Sequence, residues 1–322
     1  MKRITIILLM ITILLVIWGQ VLRPALKNGK GDTEPKYPVS DDSSSMPASH
    51  ADDLSADGTD DQVKDSVQTN KSCIYEAGRT VNERILVPEG FERVRVEAGS
   101  FGEYLRELPL KPHGSNVMYY NGDSKPRDVH EAVIDMDVGD RDLQQCADSI
   151  IRLRAEYLYK KGLYGRIHFN FTNGFNADYS TWMKGSRIKV SGNRAYWVEQ
   201  GSSSKDYASF RKYLDIVFAY AGTLSLSKEM ESIPVEQMQP GDVFIYGNTP
   251  GHCVIVADMA ENKSTGEKLF ILAQGYMPAQ EMHILKNPAN TAGDPWYPVS
   301  FGETLSTPEW EFTKDQLMRF AD

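Results

Sequence analysis

The chain has 322 residues, a formal net charge of −9 and 25% charged residues, and this length allows one large domain or two. The charge is unevenly spread: residues 1–30 carry +5, residues 31–70 carry −8 and residues 71–322 carry −6. A mildly acidic globular part lacks the basic surface on which nucleic-acid binding depends. Nucleic acid is therefore excluded as a predicted partner.

The amino-terminal segment is strongly apolar. Residues 4–22 form a run of 19 residues without a charge, and a bilayer core needs about 20 such residues. We expect residues 1–26 to form a single-pass membrane anchor, with the rest of the chain on the extracytoplasmic side. A cleaved signal peptide is the alternative, but the run exceeds the usual length of that region and no small-residue cleavage site follows it.

Residues 27–72 are rich in Ser, Asp, Gly and Thr and contain few large apolar residues. Such a composition buries too little surface to offset the entropy of ordering, so we expect a disordered acidic spacer. The spacer would hold the globular part, residues 73–322, clear of the membrane. A specific binding role for the spacer is the weaker alternative.

A meander of three strands is the most informative pattern in the globular part. A Pro-Gly-Asp turn at 240–242 precedes the apolar runs 243–246 and 252–258, and a third run spans 268–274. His252 should open the second strand and have Gln274 as a near neighbour across the sheet. A histidine beside a side-chain amide can act as a general base with an orienting partner.

An amphipathic helix is predicted to begin near Asp140 and to continue to about Tyr159, because apolar residues recur there at three- and four-residue spacing. Cys146 belongs to its apolar stripe and lies in its first two turns. The positive end of the helix dipole lowers the pKa of a thiol placed there. The pattern predicts an α+β fold in which the antiparallel meander packs against the helix that bears Cys146.

The chain contains three cysteines, Cys73, Cys146 and Cys253, and none has the spacing of a metal site. We therefore expect no bound metal and no cofactor. Cys253 should face away from His252 on their common strand and serve as a small core residue.

Four further residues are candidates for substrate binding. His168 lies on an alternating strand at 166–172 whose polar row could line a groove, although a solvent-exposed face is the alternative. Tyr276 follows Gly275 and precedes Pro278, which together predict a sharp bend across the mouth of a cleft. Gln280 and His283 would lie at the rim of that cleft. A buried crossover, in which Tyr276 packs on the helix that bears Cys146, is the alternative.

Several separate motifs resemble a bacterial family of extracytoplasmic domains known as domain of unknown function 4846. The resemblance extends over roughly residues 80 to 320 and names a family without naming a reaction. The motifs are Gln145-Cys146-Ala147-Asp148, Arg152-Leu153-Arg154-Ala155-Glu156-Tyr157-Leu158, Ile167-His168-Phe169-Asn170-Phe171, Pro240-Gly241-Asp242, Pro250-Gly251-His252, and Ala273-Gln274-Gly275-Tyr276-Met277-Pro278-Ala279-Gln280.

At a second level, the order of Cys146, the turn at 240–242, His252 and Gln274 is similar to that of the NlpC/P60 cysteine peptidases and amidases of the cell wall. This resemblance implies a papain-like fold and a hydrolase that cleaves peptidoglycan-like amides. It assigns the nucleophile to Cys146, the base to His252 and the third polar position to Gln274. The Asp-Cys-Ser-Gly surround of that group is absent here, and the interval of 106 residues between Cys146 and His252 is longer than usual.

A non-catalytic protein remains as the other hypothesis. In that case Cys146 is a buried core cysteine and His252 a histidine at a strand end. The domain would then be a membrane-anchored module that binds the cell wall or acts as a scaffold.

Overall fold

A computed structural model of the chain describes residues 72–290 and 294–321. The predicted anchor and all but the last residue of the predicted spacer lie outside these residues. Among the helices that the structure does describe, none combines the length and the apolar character needed to span a bilayer.

The described chain contains short helices and strands in alternation, with two longer helices. The helices are α1 (Val81–Arg84), α2 (Phe101–Arg106), α3 (Cys146–Lys160), α4 (Tyr179–Met183), α5 (Tyr207–Tyr220) and α6 (Thr223–Leu226). The strands are β1 (Glu92–Arg93), β2 (His130–Val133), β3 (His168–Asn170), β4 (Asn176–Asp178), β5 (Ser186–Ser191), β6 (Arg194–Glu199), β7 (Met230–Ser232), β8 (Val243–Tyr246), β9 (His252–Glu261), β10 (Lys268–Gln274), β11 (His283–Leu285), β12 (Tyr297–Pro298), β13 (Thr304–Ser306), β14 (Glu311–Thr313) and β15 (Leu317–Phe320).

The central sheet is antiparallel and, within the described residues, has nine strands. Seven of them follow the order β2-β11-β10-β9-β8-β15-β7, while β1 adds to β9 and β12 adds to β10. The consecutive strands β8, β9 and β10 are neighbours, as the meander predicted, and His252 is the first residue of β9. The α+β class with an antiparallel sheet is thus confirmed.

The sheet separates two apolar cores. Along β9, Cys253, Ile255 and Ala257 belong to the larger core, which also includes the buried face of α3. Val254 and Val256 point into a second core on the other face. This alternation is the period-two pattern of a strand that is buried on both sides. Each fully buried Val or Ile side chain stabilises the fold by roughly 1.5 to 3 kcal/mol.

Helix α3 begins at Cys146, six residues later than the sequence pattern predicted. Gln145 is extended, with φ −90° and ψ −152°, and its N–H donates to Asp148 Oδ2 at 3.0 Å. This hydrogen bond is one of the two that make up a capping box, and it fixes the first turn of the helix. Cys146 therefore occupies the first helical position, where backbone N–H groups have no partner within the helix.

The Pro-Gly-Asp turn before β8 has a structural role. Gly241 has φ +101°, and a Cβ atom there would lie 2.9 Å from the Phe101 ring. The carboxylate of Asp242 is buried, accepts from the N–H of Gln239 at 2.8 Å and pairs with Arg319 at 2.6 Å. The turn thereby fixes the direction in which β8 enters the sheet.

Candidate active site

Cys146 lies beside a cavity of about 320 Å³ at the amino-terminal end of α3. Its side chain is nearly buried, with 9% of its surface exposed. Several of the residues that line this cavity are small. The lining residues are Asp142, Leu143, Gln145, Cys146, Ala147, Asp148, Phe218, Ala219, Ala221, Gly222, Thr223, Gly251 and Met277.

The surroundings of Cys146 favour its thiolate form. Hydrogen bonding with Cys253, then with His252 and with the N–H of Ala147, holds the pKa of Cys146 well below the usual 9.0, although burial acts in the opposite direction. The N–H of Ala147 belongs to the first turn of α3, where the helix dipole also stabilises an anion. The pKa of Cys253 is raised well above 9.0 by burial and by the neighbouring Cys146, so Cys253 stays a thiol.

His252 and Gln274 meet across the neighbouring strands β9 and β10. The Nε2 atom of His252 lies 2.9 Å from Oε1 of Gln274, and both side chains are buried. An amide oxygen can only accept a hydrogen bond, so Nε2 carries the proton. The other ring nitrogen, Nδ1, is then the atom that can accept the proton of the Cys146 thiol.

The orientation of the Gln274 amide is fixed by its other contacts. Its Nε2 group donates to Glu309 Oε2 at 2.7 Å and lies 3.3 Å from Nε2 of His283. The Nδ1 atom of His283 lies 2.9 Å from the carbonyl oxygen of Glu281, so Nδ1 donates there and Nε2 accepts from Gln274. Burial lowers the pKa of His283 to about 3, which keeps the ring neutral. The amide oxygen of Gln274 must therefore face His252.

A buried ion pair lies behind this amide. The Lys125 ammonium contacts both carboxylate oxygens of Glu309 at 2.8 Å, and the two side chains are 3% and 5% exposed. Burial lowers the pKa of Lys125, and the hydrogen bond with Glu309 opposes this effect. Lys125 also donates to Gln280 Oε1 at 2.9 Å. Gln280 and His283 are 1% and 0% exposed. The prediction that they lie at the rim of a cleft is therefore wrong, and they instead support the Gln274 amide from behind.

Aromatic side chains enclose the His252 ring. The rings of Tyr276, Trp310 and Phe312 lie 4.7, 5.3 and 5.9 Å from it, measured between centroids. Tyr276 is half-buried, while the neighbouring Met277 is 45% exposed and lines the cavity beside Cys146. The predicted bend at 275–278 does carry the chain past the site.

Gly275 allows the end of β10 to approach the start of α3. A Cβ atom at this position would lie 2.1 Å from Ser149 Oγ and 3.0 Å from the carbonyl oxygen of Gln145. The same Ser149 hydroxyl donates to the Gln145 carbonyl at 2.8 Å. The absence of a side chain at Gly275 therefore sets the distance between Gln274 and the Cys146 end of α3.

His168 lies in another part of the domain. It is an exposed residue of β3, with Nδ1 3.8 Å from Glu229 Oε2, and this contact raises its pKa. It lines a separate cavity of about 260 Å³ and is not among the residues around the Cys146 cavity. The structure thus brings together Cys146, His252 and Gln274, with Tyr276, Gln280 and His283 nearby, and it places His168 elsewhere.

Five contributors to the site were not identified as such from the sequence: Lys125, Glu309, Cys253 and the aromatic residues Trp310 and Phe312. Lys125 and Glu309 lie 155 and 35 residues from their partners Gln280 and Gln274, and no local pattern relates residues so far apart. Cys253 was expected to be a core residue only. It does lie in the core, but the helix packs so closely on β9 that its thiol also reaches Cys146.

No group of three or more His, Cys, Asp or Glu side chains that could hold a metal ion occurs in residues 72–290 and 294–321.

The chain belongs to the family described as a domain of unknown function (4846), whose model matches residues 81–319. No curated protein and no solved structure matches the chain.

Proposed function

We propose that the chain is a cysteine hydrolase of the bacterial cell envelope, a peptidase or amidase that cleaves peptidoglycan-like amides. The observation that carries the proposal is the placement of Cys146. Its sulfur lies at the first position of a helix, has a lowered pKa and interacts with His252, whose far nitrogen is held by Gln274. A nucleophile, a base and an orienting group in this relation form the general arrangement of nucleophilic catalysis.

The reaction would proceed in two stages. His252 Nδ1 takes the proton of the Cys146 thiol, and the thiolate attacks the carbonyl carbon of the amide. The C–N bond breaks as His252 returns the proton to the leaving amine, which leaves a thioester on Cys146. Water then attacks the thioester, His252 takes a proton from it, and the carboxylic acid product leaves as the thiol is restored. The backbone N–H groups at the start of α3 would stabilise the oxyanion.

Several finer features belong to the same proposal. The NlpC/P60 (papain-like) relationship is supported by the order of Cys146, His252 and Gln274 along the chain and by their meeting at one site. A single-pass anchor at 1–26, an extracytoplasmic location and the spacer at 27–72 are supported by the composition of those residues. Tyr276 would form one wall of the substrate site.

A non-catalytic module that binds the cell wall is the second candidate, and one observation favours it. His252 is 1% exposed and enclosed by three aromatic rings, so a leaving amine reaches it only if one of those rings moves.

The two candidates differ in whether a covalent intermediate forms on Cys146. We would incubate the full-length chain with soluble muropeptides, stop the reaction in acid and measure the intact mass. The hydrolase predicts an added acyl group on Cys146 that hydroxylamine removes. Binding without any adduct, with the same affinity in Cys146→Ala, would support the module instead.

A further inference from the structure

We infer that a second cavity, separate from the site at Cys146, binds a neutral saccharide of one or two rings. Its volume is about 690 Å³, within the usual range of roughly 300 to 1,000 Å³ for small-molecule sites. It lies between α2, the segment 135–137, the later turns of α3 and the start of α5. It shares no lining residue with the cavity at Cys146.

Three tyrosines supply aromatic surface in this tyrosine cavity, which we define by Tyr104, Tyr157 and Tyr207. The rings of Tyr104 and Tyr157 lie 5.8 Å apart with 50° between their planes, so they form two sides of an angle. Tyr207 is 47% exposed. A sugar ring has an apolar C–H face that packs against an aromatic ring, and tyrosine adds a hydroxyl at the rim of such a contact.

The polar groups of the tyrosine cavity are held in place by one another. Glu156 Oε1 accepts from the Tyr207 hydroxyl at 2.6 Å and from Arg152 Nε at 3.4 Å. Arg152 is 3% exposed and also donates to Gln144 Oε1 at 2.6 Å. The carboxylate and the guanidinium are therefore preorganised, and this reduces the entropic cost of ligand binding.

The Tyr104 hydroxyl is available to bind a ligand. It makes no hydrogen bond to any of the residues that the structure describes, whereas the Tyr157 hydroxyl donates to the Gly99 carbonyl at 3.1 Å. Burial, with the nearby Glu156 carboxylate, raises the pKa of Tyr104, so its hydroxyl stays protonated. It can thus both donate to and accept from a sugar hydroxyl.

The charge of the lining selects against anionic ligands. Five carboxylates and three cations line the space, so it offers both acceptors and donors beside the aromatic faces. Sugar hydroxyls use both kinds of partner, whereas a phosphate or sulfate would need an excess of cations. The charged lining residues are Glu103, Glu107, Asp135, Asp137 and Glu156, with Arg152, Lys160 and Lys161.

The inference is tested by titrating the full-length chain with N,N′-diacetylchitobiose and with cellobiose in a calorimeter. At least one of these neutral disaccharides should bind. Tyr207→Ala and Tyr104→Phe should each weaken binding by about tenfold, because each loses a contact worth about 1.4 kcal/mol. Tyr196→Ala is the matched control, since Tyr196 is 45% exposed on β6, outside the cavity, and should leave affinity unchanged.

Three outcomes would overturn the assignment: no binding of either disaccharide at millimolar concentration, equal binding by all variants, or binding of tetralysine in place of the disaccharides. Tyr104→Phe retains the ring, and Tyr207 is half exposed, so folding should survive both changes. Cys146→Ala should bind the disaccharide as the wild type does. Failure of this inference is therefore distinguishable from failure of the proposed hydrolase.

Discussion

The amide oxygen of Gln274 lies 2.9 Å from Nε2 of His252, and the amide nitrogen lies 2.7 Å from Glu309. Because a carboxylate only accepts, the amide cannot rotate without placing its oxygen against the oxygens of Glu309. The tautomer of His252 is consequently set by the Glu309 carboxylate, which is linked to His252 through the Gln274 amide. This relation leads to predictions on reactivity, stability and turnover.

The first prediction concerns thiol selectivity. Only Cys146 has a lowered pKa, while the pKa of Cys73 is raised to about 12 and that of Cys253 lies well above 9.0. Brief iodoacetamide treatment of the folded protein at neutral pH should therefore alkylate Cys146 first. As pH rises, its rate should reach a plateau well below pH 9.0, because the thiolate is fully formed above the lowered pKa. Peptide mass spectrometry measures this, and preferential labelling of Cys73 would contradict it.

A second prediction concerns Glu309 as a positioning residue. Glu309→Gln keeps the size of the side chain, but either orientation of the Gln274 amide becomes acceptable. Gln274 should then orient His252 less strictly, and the pH midpoint of Cys146 alkylation should rise. Glu303→Gln is the control, because the Glu303 side chain is 93% exposed and pairs only with Lys314 among the described residues. An identical pH profile in both variants would show that the amide is oriented by other means.

A third prediction concerns the stability of Gln280→Ala. A residue at the rim of a cleft would tolerate this change. Gln280, however, is buried and accepts a hydrogen bond from the buried Lys125 ammonium. Leaving a buried donor without this acceptor costs about 1 to 3 kcal/mol. Urea unfolding should show that loss, whereas Gln237→Ala, at an exposed position, should remain within about 0.5 kcal/mol of the wild type. Equal stability of the two variants would argue against the buried network.

Much of the fold could be predicted from local pattern, but the support of the site could not. The apolar runs at 243–246, 252–258 and 268–274, with the turns between them, were sufficient to predict the meander and to place His252 near Gln274. The start of helix α3 was predicted too early, because its apolar stripe continues into the preceding turns. In the structure, the contact between Gln145 and Asp148 makes the helix begin at Cys146. Lys125 and Glu309 come from distant loops, and their pairing depends on tertiary packing.

A fourth prediction tests the close approach at Gly275. Gly275→Ala places a methyl group against Ser149 Oγ and the backbone oxygen of Gln145, and the backbone cannot move aside cheaply. We expect the start of α3 to shift, with a loss of about 1 to 3 kcal/mol of stability and loss of the lowered Cys146 pKa. Gly222→Ala is the matched control for stability, since no atom lies within 4 Å of a Cβ atom there. Thermal unfolding and the alkylation profile should separate the two variants.

Amide hydrolysis by Cys146 and His252 would release new amine and carboxyl groups from soluble muropeptides. Mass spectrometry would follow this release by the full-length chain and by its Cys146→Ser and His252→Ala variants. We expect release by the wild type, none by Cys146→Ser and a reduction of at least about a hundredfold by His252→Ala. Release at the wild-type rate by Cys146→Ser, or no release by any form despite binding, would contradict this expectation.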